Sequence, residues 1–400
     1  MSGRRSPVDL PGGVCAVPEI AAAGVAAGLK PSGRLDLAIV DAGRVVAAAA
    51  VQTTNQVKAA PVLLTSRHVA NGRARAVLLN AGSANVCTGP DGMALAEEST
   101  VAVGRELGCE PADVLVCSTG VIGVPIPRGP FLAGIPAAAA ARSRDGGSRA
   151  AKAIMTTDTF PKEAAVRVED GTGTCVVGGM AKGAGMLEPT MATMLAVVTT
   201  DAPVQGPVLR SCVREVVAHT FGRVSVDACQ STNDAVVVLA TGSAARPPSL
   251  SAFKDGLTAV CARLAEALVR DGEGARKLVR LRVTGARSEA DAVGVARAIA
   301  RSVLVRTAIA GADPNWGRIL AAAGAGPVPF DPARVAVTFG NVTVCRFGVV
   351  ASFDRGLASR ALSGREVTVT VDLGLGPAEA TLLTCDLTHD YVTINAEYTT

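Results

Sequence analysis

The chain is poor in rings. Aromatic residues are 3% of its 400 residues, with one Trp, two Tyr and eight Phe. A core built without them must come from Ala, Val, Leu and Ile, and 43 Gly imply close backbone packing and tight turns. Histidine is scarcer still. His68, His219 and His389 lie far apart, which argues against a zinc site or a His-based triad, so no metal is expected. Charge is sparse as well. Only 18% of residues are charged, and 39 basic and 35 acidic residues are interspersed to a net +4. No basic tract forms a nucleic-acid footprint. No stretch reaches the about 18 apolar residues of a membrane span. Arg4-Arg5 is followed at once by Pro7, Asp9 and Pro11-Gly-Gly13, with no apolar segment. That is neither a Sec nor a twin-arginine signal, and a cytoplasmic protein is expected. None of the ten cysteines forms a CxxC pair, and several sit in apolar runs such as Val114-Leu-Val-Cys117. Buried free thiols are the reading.

Standard cofactor loops are missing too. Gly171-Thr-Gly173 and Gly183-Ala-Gly185 begin like a dinucleotide fingerprint but lack the third glycine and the following helix, and there is no GxxxxGK[ST].

What remains is an apolar chain, 49% by residue, long enough for two domains or one large α/β unit. Leu35 to Val51 alternates around Asp41-Ala-Gly43, as a hairpin would. Residues 76–79 and 114–117 read as buried strands, each ending in a loop of small residues: Asn80-Ala-Gly-Ser-Ala-Asn85 and Ser118-Thr-Gly-Val-Ile-Gly123. Ala-rich helices fall near 93–106 and 134–155. Gly171 to Gly185 reads as an exposed loop with one short strand inside. Residues 193–200 form a buried strand, and Pro207 opens a helix to about His219. Leu257 to Arg270 has the spacing of one helical face, and Ser288-x-x-Asp291 starts another helix. Strands follow at 333–339, 342–350, 366–372 and 379–386. The class is α/β with mixed sheets; the alternation is too irregular for a Rossmann domain or a TIM barrel.

The window Lys182-Gly-Ala-Gly-Met-Leu-Glu-Pro-Thr-Met-Ala-Thr193 is the most informative. A lone Thr before a buried strand is ordinarily structural. Here glycines precede it, Pro189 restricts the backbone, and Ala192 is small. A Thr hydroxyl beside the preceding carbonyl can attack it and shift the acyl group from N to O. Hydrolysis of that ester frees Thr193 as a new N-terminus. The freed α-amine, with a pKa of about 7.7–8.0, then serves as the base that a Thr nucleophile needs. Acyl transfer also needs donors for an oxyanion. Thr119 offers a hydroxyl, and the Gly120 N–H is approachable; a plain turn at the strand end is the alternative.

Several motifs then fall in one order: Thr53-Thr-Asn55 with Ala59-Ala-Pro61, Asn80 to Asn85, Ser118 to Gly123, and Thr156-Thr-Asp-Thr-Phe-Pro-Lys162. After them come Lys182-Gly-Ala-Gly185 with Ala192-Thr-Met-Leu195, Ser231-Thr-Asn-Asp234, Gly311-Ala-Asp-Pro-Asn-Trp-Gly-Arg318 and Tyr391-Val-Thr-Ile-Asn395. Nearly end to end, the chain resembles the bifunctional ornithine acetyltransferases (glutamate N-acetyltransferases) of the cyclic arginine pathway. The resemblance implies stacked mixed β-sheets flanked by helices, similar to N-terminal-nucleophile folds. It implies self-cleavage between Ala192 and Thr193, giving fragments 1–192 and 193–400 that assemble as α2β2 or larger. It also implies an acetyltransferase that moves acetyl from N-acetylornithine to glutamate by ping-pong chemistry. Thr193 would be the nucleophile, and Thr119 and Gly120 the oxyanion hole. Thr156, Lys182, Thr193, Glu273, Asn395 and Thr400 match substrate-contacting positions, and the tail from His389 is implied to fold over the site. Lys182 and Thr156 suit a substrate carboxylate, and Glu273 an ammonium. No cofactor is implied, although some relatives take acetyl from acetyl-CoA.

The chain departs from the family's pattern in places. Asp227-Ala-Cys-Gln230 stands where Asp-Gly-Asp-Thr is common, and Glu188 where a small residue is common. Arg306 replaces a Lys, and Asn80-Ala-Gly-Ser replaces Asn-Ser-Gly-Asn. Three alternatives stay open: a paralogue acting on another amino acid in a specialised pathway, an N-terminal-Thr amidase or aminopeptidase, or a non-catalytic binding relative.

Overall fold

The structure is a computed structural model and describes residues 6–188 and 194–397. Its centre is built from strands that are apolar along their whole length, as strands covered on both faces must be. Leu195–Thr200 and Ala235–Ala240 are buried at every position and run parallel, Leu195 opposite Ala235.

Among the described residues these two strands are the middle of a nine-stranded mixed sheet. Its spatial order is Val8–Asp9, Lys162–Glu169, Thr174–Lys182, Leu195–Thr200, Ala235–Ala240, Leu37–Gln52, Arg73–Ser83 and Val114–Val121, with Ala21–Val25 added on Leu37–Gln52. A second sheet of seven strands runs Val349–Val350, Val342–Arg346, Ala336–Phe339, Glu366–Asp372, Leu278–Ala286, Ala378–Cys385 and Val224–Ser225. The expected mixed α/β class is therefore what forms.

Helices Gly206–His219 and Leu250–Arg270 cover one face of the first sheet, placing Leu209, Val213, Leu257 and Leu264 against Val166, Val177, Val198 and Val236. On the other face Val14, Ala150 and Ile154 pack on Val40, Val77, Val197 and Val237. Each such side chain, fully buried, contributes about 1.5–3 kcal/mol. The second sheet packs on helix Glu289–Ala300 through Ala292, Val295 and Ile299. Leu278 and Cys385 of that sheet belong to the first core and join the two layers. Ser288 caps its helix as the sequence suggested, its hydroxyl accepting the Asp291 N–H at 3.1 Å.

The fold differs from the sequence reading in several places. The expected hairpin is one strand, Leu37–Gln52. It pairs with Arg73–Ser83 on both sides of a break, Asp41 opposite Ala76 and Val46 opposite Ala74. Asp41-Ala-Gly43 is thus a bulge, with Asp41 Oδ1 accepting the Gly43 N–H at 2.9 Å. The stretch 171–185 is not an exposed loop, because Thr174–Lys182 is an inner strand. A Cβ on Gly178 would lie 2.1 Å from the Gly13 carbonyl oxygen, so this glycine admits a crossing backbone rather than breaking a strand. The helix near 134–155 is two, Arg128–Ala140 and Gly147–Ala153. Finally, the strand expected from 333 starts at Ala336, because Asp331 caps a helical turn at Pro332–Arg334.

All ten cysteines are free; six are buried, while Cys87 and Cys229 are exposed and Cys15 and Cys109 half-buried. No helix among the described residues is long and apolar enough to cross a membrane. Strands from both sides of 192/193 share the first sheet, Lys182 lying opposite Leu195. A boundary at 192/193 therefore does not separate independently folded units.

Asp41, 2% exposed, is the ionic hub of the bulge. It accepts Arg75 Nε at 3.1 Å and an Nη of Arg142. Removing one partner of a buried ionic cluster typically costs about 3–5 kcal/mol. Asp41→Ala should therefore lower unfolding free energy by about 3 kcal/mol, read as a fall in the urea midpoint. An unchanged midpoint would mean the bulge does not depend on this carboxylate.

Candidate active site

Six of the expected residues, Thr119, Gly120, Thr156, Lys182, Glu273 and Asn395, line one cavity of about 1160 Å³. They arrive from different elements. Thr119 and Gly120 end Val114–Val121, which runs on through them instead of turning. Gly120 has φ 129°, and a Cβ there would sit 2.4 Å from the Gly82 carbonyl carbon. Only glycine lets these two strands meet so closely. Asn233 ties the same corner together, its Nδ2 donating to Ala84 O at 2.6 Å and Ser118 O at 2.8 Å.

Lys182 ends Thr174–Lys182 and is 2% exposed. Its Nζ donates to Thr156 Oγ1 at 2.7 Å and Thr119 Oγ1 at 3.3 Å. The nearest carboxylate oxygen is Asp158 Oδ2 at 3.9 Å. Burial pushes the Lys182 ammonium down, against the pull of Asp158. Burial alone would raise the Asp158 carboxyl. The charges of Lys182 and Lys162, with hydrogen bonds from Lys162 and Gly183, outweigh it and hold that carboxyl at about 2. Lys30, also on the cavity wall, is pushed down to about 8 by burial and spends its Nζ on Leu35 O at 2.7 Å and Ala153 O at 3.2 Å.

The other end is acidic. Glu273 follows helix Leu250–Arg270, and its N–H donates to Ala184 O at 2.9 Å. Helix His389–Glu397 lies over it, with Asn395 Nδ2 donating to Glu273 Oε2 at 2.9 Å. Arg276 anchors that helix through Asp390 at 2.8 Å. Tyr391 and Asn395 of that helix line the cavity. Asp227 accepts the N–H groups of Met186, Leu187 (2.9 Å) and Cys229 (3.1 Å). Burial nonetheless pushes its carboxyl up to about 6.

Thr193, Ala192 and Thr400 lie outside the described residues. Description resumes at Met194, whose N–H donates to Asp234 Oδ1 at 3.0 Å. Asp234 is wholly buried, and burial raises its carboxyl well above the usual range. Glu188 is buried and accepts Ser225 Oγ and Arg301 Nε, each at 2.7 Å. Asp158, Asp227, Asp234 and Lys30 were not singled out from the sequence. Asp158 and Asp234 sat inside quoted motifs, but nothing in spacing told a charge aimed inward from one in solvent. Among the described residues no group of three or more His, Cys, Asp or Glu is placed to hold a metal ion.

A profile of the ArgJ family matches residues 21–400. The chain belongs to the ArgJ family. The arginine biosynthesis bifunctional protein ArgJ of Symbiobacterium thermophilum is 48% identical over 399 residues, covering 98% of this chain and 99% of that protein. The ArgJ protein of Mycobacterium tuberculosis H37Rv is 46% identical over 394 residues, covering 96% of each. Among solved structures, the ornithine acetyltransferase of Mycobacterium tuberculosis, complexed with ornithine, matches with 42% identity and a TM-score of 0.42, over 47% of this chain and all of that one. ArgJ membership agrees with the acetyltransferase reading and does not favour the amidase or aminopeptidase alternative.

The Asp227 carboxyl should titrate near pH 6 in the folded chain instead of 3.8, as followed by 13C NMR against Asp227→Asn. Its folded pKa is raised, so its contribution to stability is greatest below the unfolded value and is lost as pH rises through 6, by about 3 kcal/mol in all. A midpoint below 4 would contradict the burial argument.

Proposed function

We propose that this ArgJ-family chain is a self-processing acetyltransferase that moves acetyl from N-acetylornithine to glutamate. The observation that carries the reading is the convergence of Thr119, Gly120, Thr156, Lys182, Glu273 and Asn395, far apart in sequence, on one cavity.

In the precursor, the Thr193 hydroxyl attacks the Ala192 carbonyl, and the acyl group moves from N to O. Water hydrolyses the ester and leaves fragments 1–192 and 193–400. The freed α-amine of Thr193 then takes the proton of its own hydroxyl as Oγ attacks the acetyl carbonyl. Thr119 and the Gly120 N–H hold the developing oxyanion. Collapse breaks the amide C–N bond, and the departing α-amine of ornithine takes the proton. Acetyl stays on Thr193 Oγ as an ester. Glutamate's neutral α-amine attacks that ester, its proton returns through the Thr193 amine, and N-acetylglutamate leaves.

Lys182 and Thr156 take the α-carboxylate, a charge-assisted pairing. Glu273, oriented by Asn395, faces ornithine's side-chain ammonium, and Thr400 completes the contacts. The two fragments stay paired and assemble as α2β2 or larger in the cytoplasm, without a bound cofactor. Acetyl-CoA is a second donor to test on the same acetyl-Thr193.

Intact mass under denaturing conditions should give two fragments that divide between Ala192 and Thr193, and Thr193→Ala should leave one 40.2 kDa chain with no transfer. Thr119→Ala should cleave but lose about 10²–10³ in kcat. Transfer by uncut Thr193→Ala would remove Thr193 as nucleophile.

A further inference from the structure

Beside the cavity, with Asp158 on its wall, lies a chain of buried charges that the acetyl-transfer steps do not use. Lys162 is 1% exposed. Its Nζ donates to Asp158 Oδ1 at 2.7 Å and Asp271 Oδ2 at 2.5 Å and lies 4.8 Å from the Phe160 ring centroid. Each carboxylate then reaches into the site. Asp158 accepts the Thr156 N–H at 2.9 Å and the Gly183 N–H at 2.7 Å, so it fixes one substrate-facing residue and the neighbour of another. Asp271 accepts the Thr159 N–H at 2.9 Å and the Thr159 hydroxyl, and it stands two residues before Glu273.

We propose that Asp158, Lys162 and Asp271 are positioning residues: a buried carboxylate–ammonium–carboxylate chain that sets Thr156 and Lys182 at one end of the cavity against Glu273 at the other, and keeps Lys182 the cation that meets a substrate carboxylate. This rests on the role given to Lys182 above.

The charges balance. Two ammonium groups, Lys162 and Lys182, face two carboxylates, Asp158 and Asp271. An ion held in a low-dielectric interior needs such compensation. Lys182 feels Asp158, Glu273 and Asp234 as attraction and Lys162 as repulsion, with Lys30 a further cation nearby. Asp158 and Lys162, the end and the middle of the chain, therefore act on Lys182 with opposite sign. Losing the Asp158 charge makes the ammonium easier to deprotonate. Losing Lys162 makes it harder, and losing Asp271 along with Lys162 keeps the cluster neutral.

The test is the pH profile of kcat/KM for N-acetylornithine, measured on cleaved, folded protein. Asp158→Asn should move the alkaline limb to lower pH and raise KM about tenfold for each unit moved, with a smaller change in kcat. The double variant Lys162→Met with Asp271→Asn should move the same limb to higher pH. Limbs that stay with the wild type, or move in one direction together, overturn the proposal, since a merely structural role would lower melting temperature without opposite shifts. If Asp158→Asn does not fold, an unmoved limb in the double variant is enough to overturn it. Lys182→Ala separates the two readings. A normal KM there removes the carboxylate role of Lys182 and this inference with it; a raised KM with unmoved limbs removes the inference alone.

Discussion

The site depends on burying an ammonium group and keeping it charged. Lys182 ends an inner strand of an apolar sheet and is 2% exposed, so water solvates it poorly. Transfer of an unpaired charge to such a place costs far more than a fold can spare. The local architecture answers that constraint. Asp158 stands 3.9 Å away, Lys162 offsets the second carboxylate, and the Thr156 and Thr119 hydroxyls take two of the ammonium's hydrogens. In the carboxylate role proposed for Lys182, a cation prepared in this way has its desolvation already met, so a substrate gains more from it than from a surface lysine.

The sheet makes the arrangement rigid. Thr119 and Lys182 sit on strands separated by four others, and the space between them is set by a ladder whose middle strands are buried at every position. Small residues allow this. Gly120 meets Gly82 backbone to backbone, and Gly178 admits the chain at Gly13. A core rich in aromatics would push these strands and crossings apart. The shortage of rings in the sequence is thus the composition that such close approach requires.

Local pattern carried the strands and helices whose apolar runs were continuous or periodic, and it failed where glycine or aspartate had two meanings. Asp41-Ala-Gly43 has hairpin chemistry, yet Arg75 and Arg142 hold its carboxylate and the strand continues. The glycines of 171–185 looked like loop punctuation, but Gly173 and Gly178 sit where another backbone crosses, at Arg246 and Gly13. Both outcomes depend on partners more than 30 residues away, which periodicity cannot see. The site divides the same way. Thr119, Gly120, Thr156, Lys182 and Asn395 lie in motifs that the sequence offers, whereas Glu273 came only through the family resemblance. Asp227, Asp234 and the Asp158–Lys162–Asp271 chain were not, because their roles lie in burial and pairing rather than in spacing.

The departures from the family's pattern follow the same physics. Ala228 takes φ 62° where the family commonly has glycine, a conformation that costs an L-residue roughly 1–2 kcal/mol. The turn holds because the Asp227 carboxylate accepts three N–H groups, from Met186 and Leu187 on one side and Cys229 on the other. Those hydrogen bonds outweigh the strain and close the loop against the strand that carries Lys182. Cys229 replaces a common aspartate on the cavity wall. A third carboxylate there would stand beside Asp227 and Glu273, and like charges so placed drive one another toward protonation. With a thiol in that position, the acidic end of the cavity holds Asp227 and Glu273, two carboxylates instead of three. The exchanged residues thus lower the charge that this end presents to a ligand while leaving the backbone that frames it in place.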